Sequence, residues 1–449
     1  MKLCDVGSVE IEPGALTRWQ LCATAPAIPV PTPPSENEQF HLDAMRRNGS
    51  AGWLALTVEL PGSVGIERLT ASLRSLLDRH EVLRCHFVPD GDGYRRWRLD
   101  ADSVGVEPIP ATARDGGDTS PHTLTATCLT QIAAACTPFA PLGHYLAAVR
   151  RPMSTTVVLA FDHCFVDAYS LAVIASDLVD DLDGAAVDRP GSFLDIRAAE
   201  EAAPDVPADD PRLCKWGDFL GTNGWTVPEF PLDLGLGTGD TAEVHTAIRT
   251  LLDADDAAGF DDRVRAAGAR TYPALLTAVA DAVHRSGGPA ELPTILPVHT
   301  RHSAADRRVV GWLVGNAPIR LSTNGDHDTA VRTNTARLGE ALPLAHMGLT
   351  PVYSAFADLL RAARQDVFMM SYVDYRRLGL PPTVPVRQIS STRRTDAAQF
   401  WFWRDADGIH LRARYPHTVR ALHTMTDVLG LVTDRLHAGA CAPSQLDCG

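Results

Sequence analysis

The sequence predicts a mixed α/β fold built in two halves. Three observations predict it: strand-like and helix-like periodicities alternate on both sides of residue 185, a stretch rich in Ala, Asp and Pro separates Asp180 from Leu213, and hairpin-like returns occur, as at Asp405-Ala406-Asp407-Gly408. A chain of 449 residues has room for two or three domains, each able to bury a core without metals or disulfides. Two halves are expected, 1–185 and 186–449, with the 180–213 stretch as the linker and a short helix near Ile196–Ala202 within it.

In the first half, Ala25–Glu38 holds too many prolines for a helix or a central strand and reads as an extended surface segment leading into a helix from Ser35. Strand Trp53–Glu59, helix Ile66–His80, strand Val82–Val88, helix Leu124–Cys136 and strands Tyr145–Arg150 and Thr155–Phe161 follow. In the second half, Glu243–Leu252 reads as strand, Asp253–Ala267 and Tyr272–Gly287 as helices, and Thr294–Val298 and Trp312–Leu321 as strands. Helices Val331–Leu342 and Tyr353–Arg364 come next, then strands Phe368–Tyr372, Gln399–Arg404 and Ile409–Tyr415, and a closing helix from Val419. Alternation within Phe400-Trp401-Phe402-Trp403 puts the phenylalanines on one face and the tryptophans on the other, with core packing expected on both.

Composition excludes several classes. A net charge of −14 lacks the basic footprint that nucleic acid or an anionic membrane requires, so no nucleic-acid partner is expected. Apolar runs such as Thr155–Phe161 are strand-sized, so no transmembrane segment is expected. Asp5, Glu10 and Glu12 stand where a secretory leader would be apolar, and a cytoplasmic protein is expected. The 9 cysteines form no CxxC and suggest buried apolar residues, not a disulfide framework or a zinc knuckle. Gly235-x-Gly237-x-Gly239 begins like a dinucleotide fingerprint, but a strand follows it where a helix is required.

The segment 155–173 carries chemistry. A buried strand ends and a helix begins at Asp162-His163-Cys164-Phe165-Val166-Asp167, which puts polar groups at the C-terminal end of a strand, where clefts form. The local sequence admits two readings: a functional histidine, or a junction histidine satisfied by a carbonyl with Asp167 capping the next helix. Neighbouring side chains diverge in an extended chain, so Cys164 is not expected to act as a nucleophile with His163. Asp162, His163 and Asp167 lack further ligands nearby, and no metal is expected.

This junction resembles the HHxxxDG signature of the condensation-domain superfamily, which includes chloramphenicol acetyltransferase, peptide condensation domains and the polyketide-associated acyltransferases. Three more blocks follow the family order: Arg79-His-Glu-Val-Leu-Arg-Cys-His-Phe87, Val310-Gly-Trp-Leu-Val-Gly-Asn-Ala-Pro-Ile-Arg320 and Met370-Ser-Tyr-Val-Asp374. The departures are Asp162 for the first histidine, Ala168 for the final glycine, Gly315 for an asparagine and Asp374 for a glycine. With the proline-rich N-terminal segment, they resemble the polyketide-associated acyltransferases more than peptide-bond-forming domains.

The resemblance implies two chloramphenicol-acetyltransferase-like subdomains in a V-shaped pseudo-dimer with a tunnel at their interface. It implies His163 as the general base, Asp167 as a structural partner of Arg301, and Trp312, Gly315, Asn316, Ser371 and Tyr372 as tunnel candidates. Asp162 either orients a neighbouring group or caps the turn. The implied enzyme is an acyltransferase with no permanently bound cofactor. Its donor would be acyl-CoA or a phosphopantetheinyl thioester on an acyl- or peptidyl-carrier protein, its acceptor a hydroxyl or amine of a small molecule, and its oligomeric state a monomer. An amide-forming condensation enzyme and a non-catalytic recruitment module remain the alternatives.

Overall fold

Trp53–Pro61 and Ser154–Asp162 are nearly continuous apolar runs because they are central strands covered on both faces. In the computed structural model, which describes residues 1–49, 52–110, 120–361, 364–381 and 383–441, they pair antiparallel with Trp53 opposite Asp162. They lie within a seven-stranded sheet of order Lys2–Leu3, Val386–Ser390, Trp53–Pro61, Ser154–Asp162, His144–Arg150, Ala15–Ala23, Val104–Pro110. Helices Ile66–Arg79 and Ala168–Asp183 bury leucine and valine faces against it, among them Leu69, Leu73, Leu76, Leu171 and Leu178. A three-stranded sheet places Ile28–Val30 at its edge, where Pro29 is tolerated because an edge strand has backbone positions that need no donor.

The chain divides into two compact units, of which the first comprises Met1–Pro204, Arg301–Leu313 and Tyr375–Thr392. The expected division at 185 falls inside this unit. Helix Phe193–Glu201 seals Phe193 and Leu194 into its core, and the Ser192 hydroxyl and Leu194 N–H both donate to Glu81. Residues 301–313 and the strand Val386–Ser390 return to it from late in the sequence.

The second unit comprises Asp205–Thr300, Val314–Asp374 and Arg393–Gly449. Its six-stranded sheet runs Val244–Asp253, Gly408–Pro416, Gln399–Asp405, Met369–Asp374, Glu291–His299, Val314–Ser322. Phe400 and Phe402 enter the core shared with helices Thr271–Arg285 and Val419–Cys441. On the other face Trp401 lies beneath the Arg412 guanidinium at 4.6 Å, and Trp403 stacks on His410 at 4.9 Å. The phenylalanines join the large hydrophobic cluster, while Trp401 and the buried Trp403 pack instead against guanidinium and imidazole groups.

Two expected elements differ. Glu81–Arg84 forms a 3-10 turn before the strand Cys85–Asp90, because the buried Arg84 guanidinium gathers the carbonyls of Leu77, Asp78 and Leu99 and holds the chain curled. The helix expected over Tyr353–Arg364 is Thr350–Phe356; residues 362 and 363 lie outside the described ones. Cys85, Cys128, Cys136 and Cys164 are buried free thiols. Among the described residues, no helix is long and apolar enough to cross a membrane.

Candidate functional site

The strand Ser154–Asp162 delivers the chain to a turn built by its own carboxylates. Asp162 accepts the Cys164 N–H at 2.9 Å and caps the 3-10 turn His163–Phe165. Four residues on, Asp167 accepts the Ser170 N–H at 2.7 Å and caps helix Ala168–Asp183. The His163 N–H donates to the Gly52 carbonyl at 2.8 Å, which continues the ladder by one bond and fixes the histidine backbone.

Asp167 also meets Arg301. Nη1 lies 2.8 Å from Oδ2 and Nη2 3.1 Å from Oδ1, in a two-pronged pair with both side chains almost completely buried. Arg301 further donates to the Gly311 and Val309 carbonyls and to the Ser170 hydroxyl, each at 3.0 Å, and lies over the Tyr169 ring. Every guanidinium nitrogen is engaged, so the buried charge has a partner at each of them. The network locks residues 309–313 onto the start of the helix and places Trp312.

Trp312 packs on His163 with ring centroids 4.1 Å apart. His163 Nδ1 is enclosed and has no hydrogen-bond partner, so the partly exposed ring offers Nε2 to a ligand. Burial, followed by the repulsion of His41, lowers the His163 pKa to about 4, against the attraction of Asp162 and Asp167. The imidazole is therefore neutral at neutral pH.

His41 was not singled out in the sequence. It sits on helix Glu36–Asn48, and its Nε2–H donates to Asp162 Oδ1 at 3.0 Å. Asp162 thus does both things considered for it: it caps the turn and holds a neighbouring imidazole. A fully buried carboxylate demands a donor from somewhere, and that demand was the available signal. His41, Asp162 and Cys164 offer three donor atoms within 4.8 Å of one another. Burial, with Asp162 and Glu38 adding to it, pushes the Cys164 thiol far above its ordinary range.

The remaining candidates belong to the second unit. A Cβ on Gly315 would lie 2.0 Å from the Ala345 carbonyl oxygen, so this position is glycine for close packing and has no side-chain space. Asn316 pairs with Pro297 in the neighbouring strand, Ser371 with Trp401, and the Tyr372 ring stacks on Tyr272 at 5.4 Å.

No family model matches the chain. The 2'-acyl-2-O-sulfo-trehalose (hydroxy)phthioceranyltransferase PapA1 of Mycobacterium tuberculosis is 26% identical over 356 residues, covering 72% of this chain and 65% of the relative. The chain thus spans about two thirds of that relative's length. Trehalose-2-sulfate acyltransferase PapA2 of the same species is 25% identical over 346 residues, covering 72% of this chain and 71% of that protein. Among solved structures, PapA2 acyl transferase aligns with a TM-score of 0.88 at 20% identity, covering 98% of this chain and 100% of that one. The first condensation domain of the calcium-dependent antibiotic synthetase aligns at 0.70 and 17%, covering 94% and 97%. The chain has the chloramphenicol-acetyltransferase-like fold of these acyltransferases and condensation domains. In sequence it is similar to the polyketide-associated acyltransferases PapA1 and PapA2.

Proposed function

We propose that this chain is an acyltransferase that moves an acyl group from a coenzyme A or carrier-protein thioester to a hydroxyl of a small-molecule acceptor, with His163 as general base. The observation that carries the reading is a neutral imidazole, one nitrogen enclosed and the other open, held on Trp312 by a turn that Asp167 and Arg301 lock. Burial keeps the base neutral at rest, and the carboxylates of Asp162 and Asp167 favour the imidazolium as charge forms on it.

The acceptor hydroxyl gives its proton to His163 Nε2 as its oxygen attacks the thioester carbonyl. The tetrahedral intermediate collapses with cleavage of the C–S bond, and the imidazolium returns the proton to the departing sulfur. The products are an ester and a free thiol. No acyl-enzyme is required, and the chain's contribution is the base and the alignment. Asp167 and Arg301 hold the loop and take no proton. The related PapA1 and PapA2 carry trehalose derivatives in their names, so trehalose is the first acceptor to offer.

The test is thiol release and ester formation from a panel of acyl-CoA and acyl-carrier thioesters with trehalose, for wild type and His163→Ala. Loss of about 10²–10⁴-fold in the variant is expected. Undiminished transfer removes His163 from the mechanism.

A further inference from the structure

The sequence has aspartate where the motif's first histidine stands, and the structure brings a different histidine to that aspartate from 121 residues away. We infer that His41 is a positioning residue for His163: bound to Asp162 from a separate helix, it supplies the imidazole the motif lacks at 162 and fixes both the ring and the electrostatic setting of the base.

The geometry is built to hold His41. Its helix begins with a capping box in which Ser35 Oγ accepts the Glu38 N–H and the Glu38 carboxylate accepts the Ser35 N–H. Glu38 is fully buried and also receives both terminal nitrogens of Arg96, at 2.7 and 3.1 Å, while Arg96 lies over the Phe87 ring. Leu42 enters the core on the same face. Glu38 and Leu42 therefore set the rotation of the helix, and His41 beside them is directed at Asp162.

Gly52 ties the two histidines together. Its carbonyl accepts the His163 N–H, and a Cβ on it would stand 2.7 Å from His41 Cε1. Any side chain at residue 52 would displace the His41 ring while the backbone still held His163. Trp312 is the second shared surface, with its ring 5.8 Å edge-on from His41 and 4.1 Å from His163. The histidine centroids are 6.2 Å apart, too far for a direct hydrogen bond and close enough for charge on one to oppose charge on the other.

The titratable and charged groups around the pair are Asp162, Asp167 and Cys164 from the turn and Glu38 with Arg96 from the helix side. Glu38 and Arg96 neutralise each other, and the Cys164 thiol stays protonated. The group that opposes protonation of His163, beside burial, is then His41, held on Asp162.

The inference deepens the reading of His163 as base, and its test needs no substrate. Histidine labelled with 13C and 15N is followed by NMR through a pH titration of wild type, His41→Leu and His41→Gln, with the His163 signals assigned by their loss in His163→Ala. The His163 midpoint is expected to move to higher pH by about 1 in both variants, because the ring whose repulsion lowers it is removed. His41→Gln keeps an N–H donor for Asp162, so it separates loss of charge from loss of the hydrogen bond should His41→Leu fail to fold. In turnover assays the acidic limb of the kcat profile moves up in parallel, with KM for the donor unchanged. A His163 midpoint unmoved in a folded variant overturns the inference and leaves the His163→Ala result to judge the acyltransferase reading separately.

Discussion

Arg301 and Asp167, 134 residues apart in the chain, form a buried ion pair in which two guanidinium nitrogens meet two carboxylate oxygens. Each partner is already saturated by backbone groups of the turn or of residues 309–313, so removing one strands the other without a replacement. Asp167→Asn and Arg301→Lys are each expected to cost about 3–5 kcal/mol in urea unfolding. The lysine variant fails despite keeping its charge, because an ammonium cannot reach the Val309 and Gly311 carbonyls and both carboxylate oxygens together. A lysine variant of wild-type stability would show that charge alone suffices.

Trp312 touches His163 but gives or takes no proton. Trp312→Ala should release the imidazole from its stacking surface and change kcat by about 0.5–1.5 kcal/mol, a factor of roughly 2–10. Trp312→Phe should recover most of the loss. Steady-state kinetics on the best donor decide this, with KM for the donor moving less than kcat.

Buried histidines of the first unit, His163 and His144 among them, set an acid limit on stability. Burial lowers the pKa of His163 and of His144 from 6.5 to about 4. Both are neutral in the folded state and protonate more readily when unfolded. Stability is thus complete above pH 6.5, declines as pH falls, and levels off below about 4. The slope is up to about 1.4 kcal/mol per pH unit for buried His144 and less for the partly open His163. Unfolding free energies measured from pH 7 to 4 should show this decline, and it should be shallower in His163→Ala. An identical slope in that variant would show that His163 ionises alike in both states.

Gly315 tests close packing in the second unit. Gly315→Ala must push the strand off the Ala345 carbonyl and is expected to cost about 1–3 kcal/mol in thermal unfolding. Retention of the wild-type melting temperature would mean that the 342–346 turn yields freely.

The elements legible in the sequence were those with strong periodicity and clear ends. Helix Ile66–Arg79 and strand Ser154–Asp162 stand almost as expected because each buries a regular pattern. Ala15–Ala23 is hard to read because Arg18 and Gln20 interrupt its apolar positions, and Val386–Ser390 because five residues with three polar ones carry little pattern. At the site, His163 and Asp167 were legible from one contiguous motif, and Arg301 through the resemblance. His41 was invisible for a physical reason: its role comes from a tertiary contact with Asp162, and nothing within its own helix distinguishes it from a solvent-facing histidine.

Strand Val386–Ser390, seated between the N-terminal Lys2–Leu3 and Trp53–Pro61, has a consequence for how the molecule is made. During synthesis the ribosome exposes most of the first unit's sheet long before the strand that flanks it. Until residue 390 emerges, the edge of Trp53–Pro61 is an open, apolar template for pairing with another chain. Such high contact order slows closure, so the nascent first half is the aggregation-prone species. Expression of residues 1–204 alone would preserve that open edge permanently, whereas supplying the late strand in trans would satisfy it.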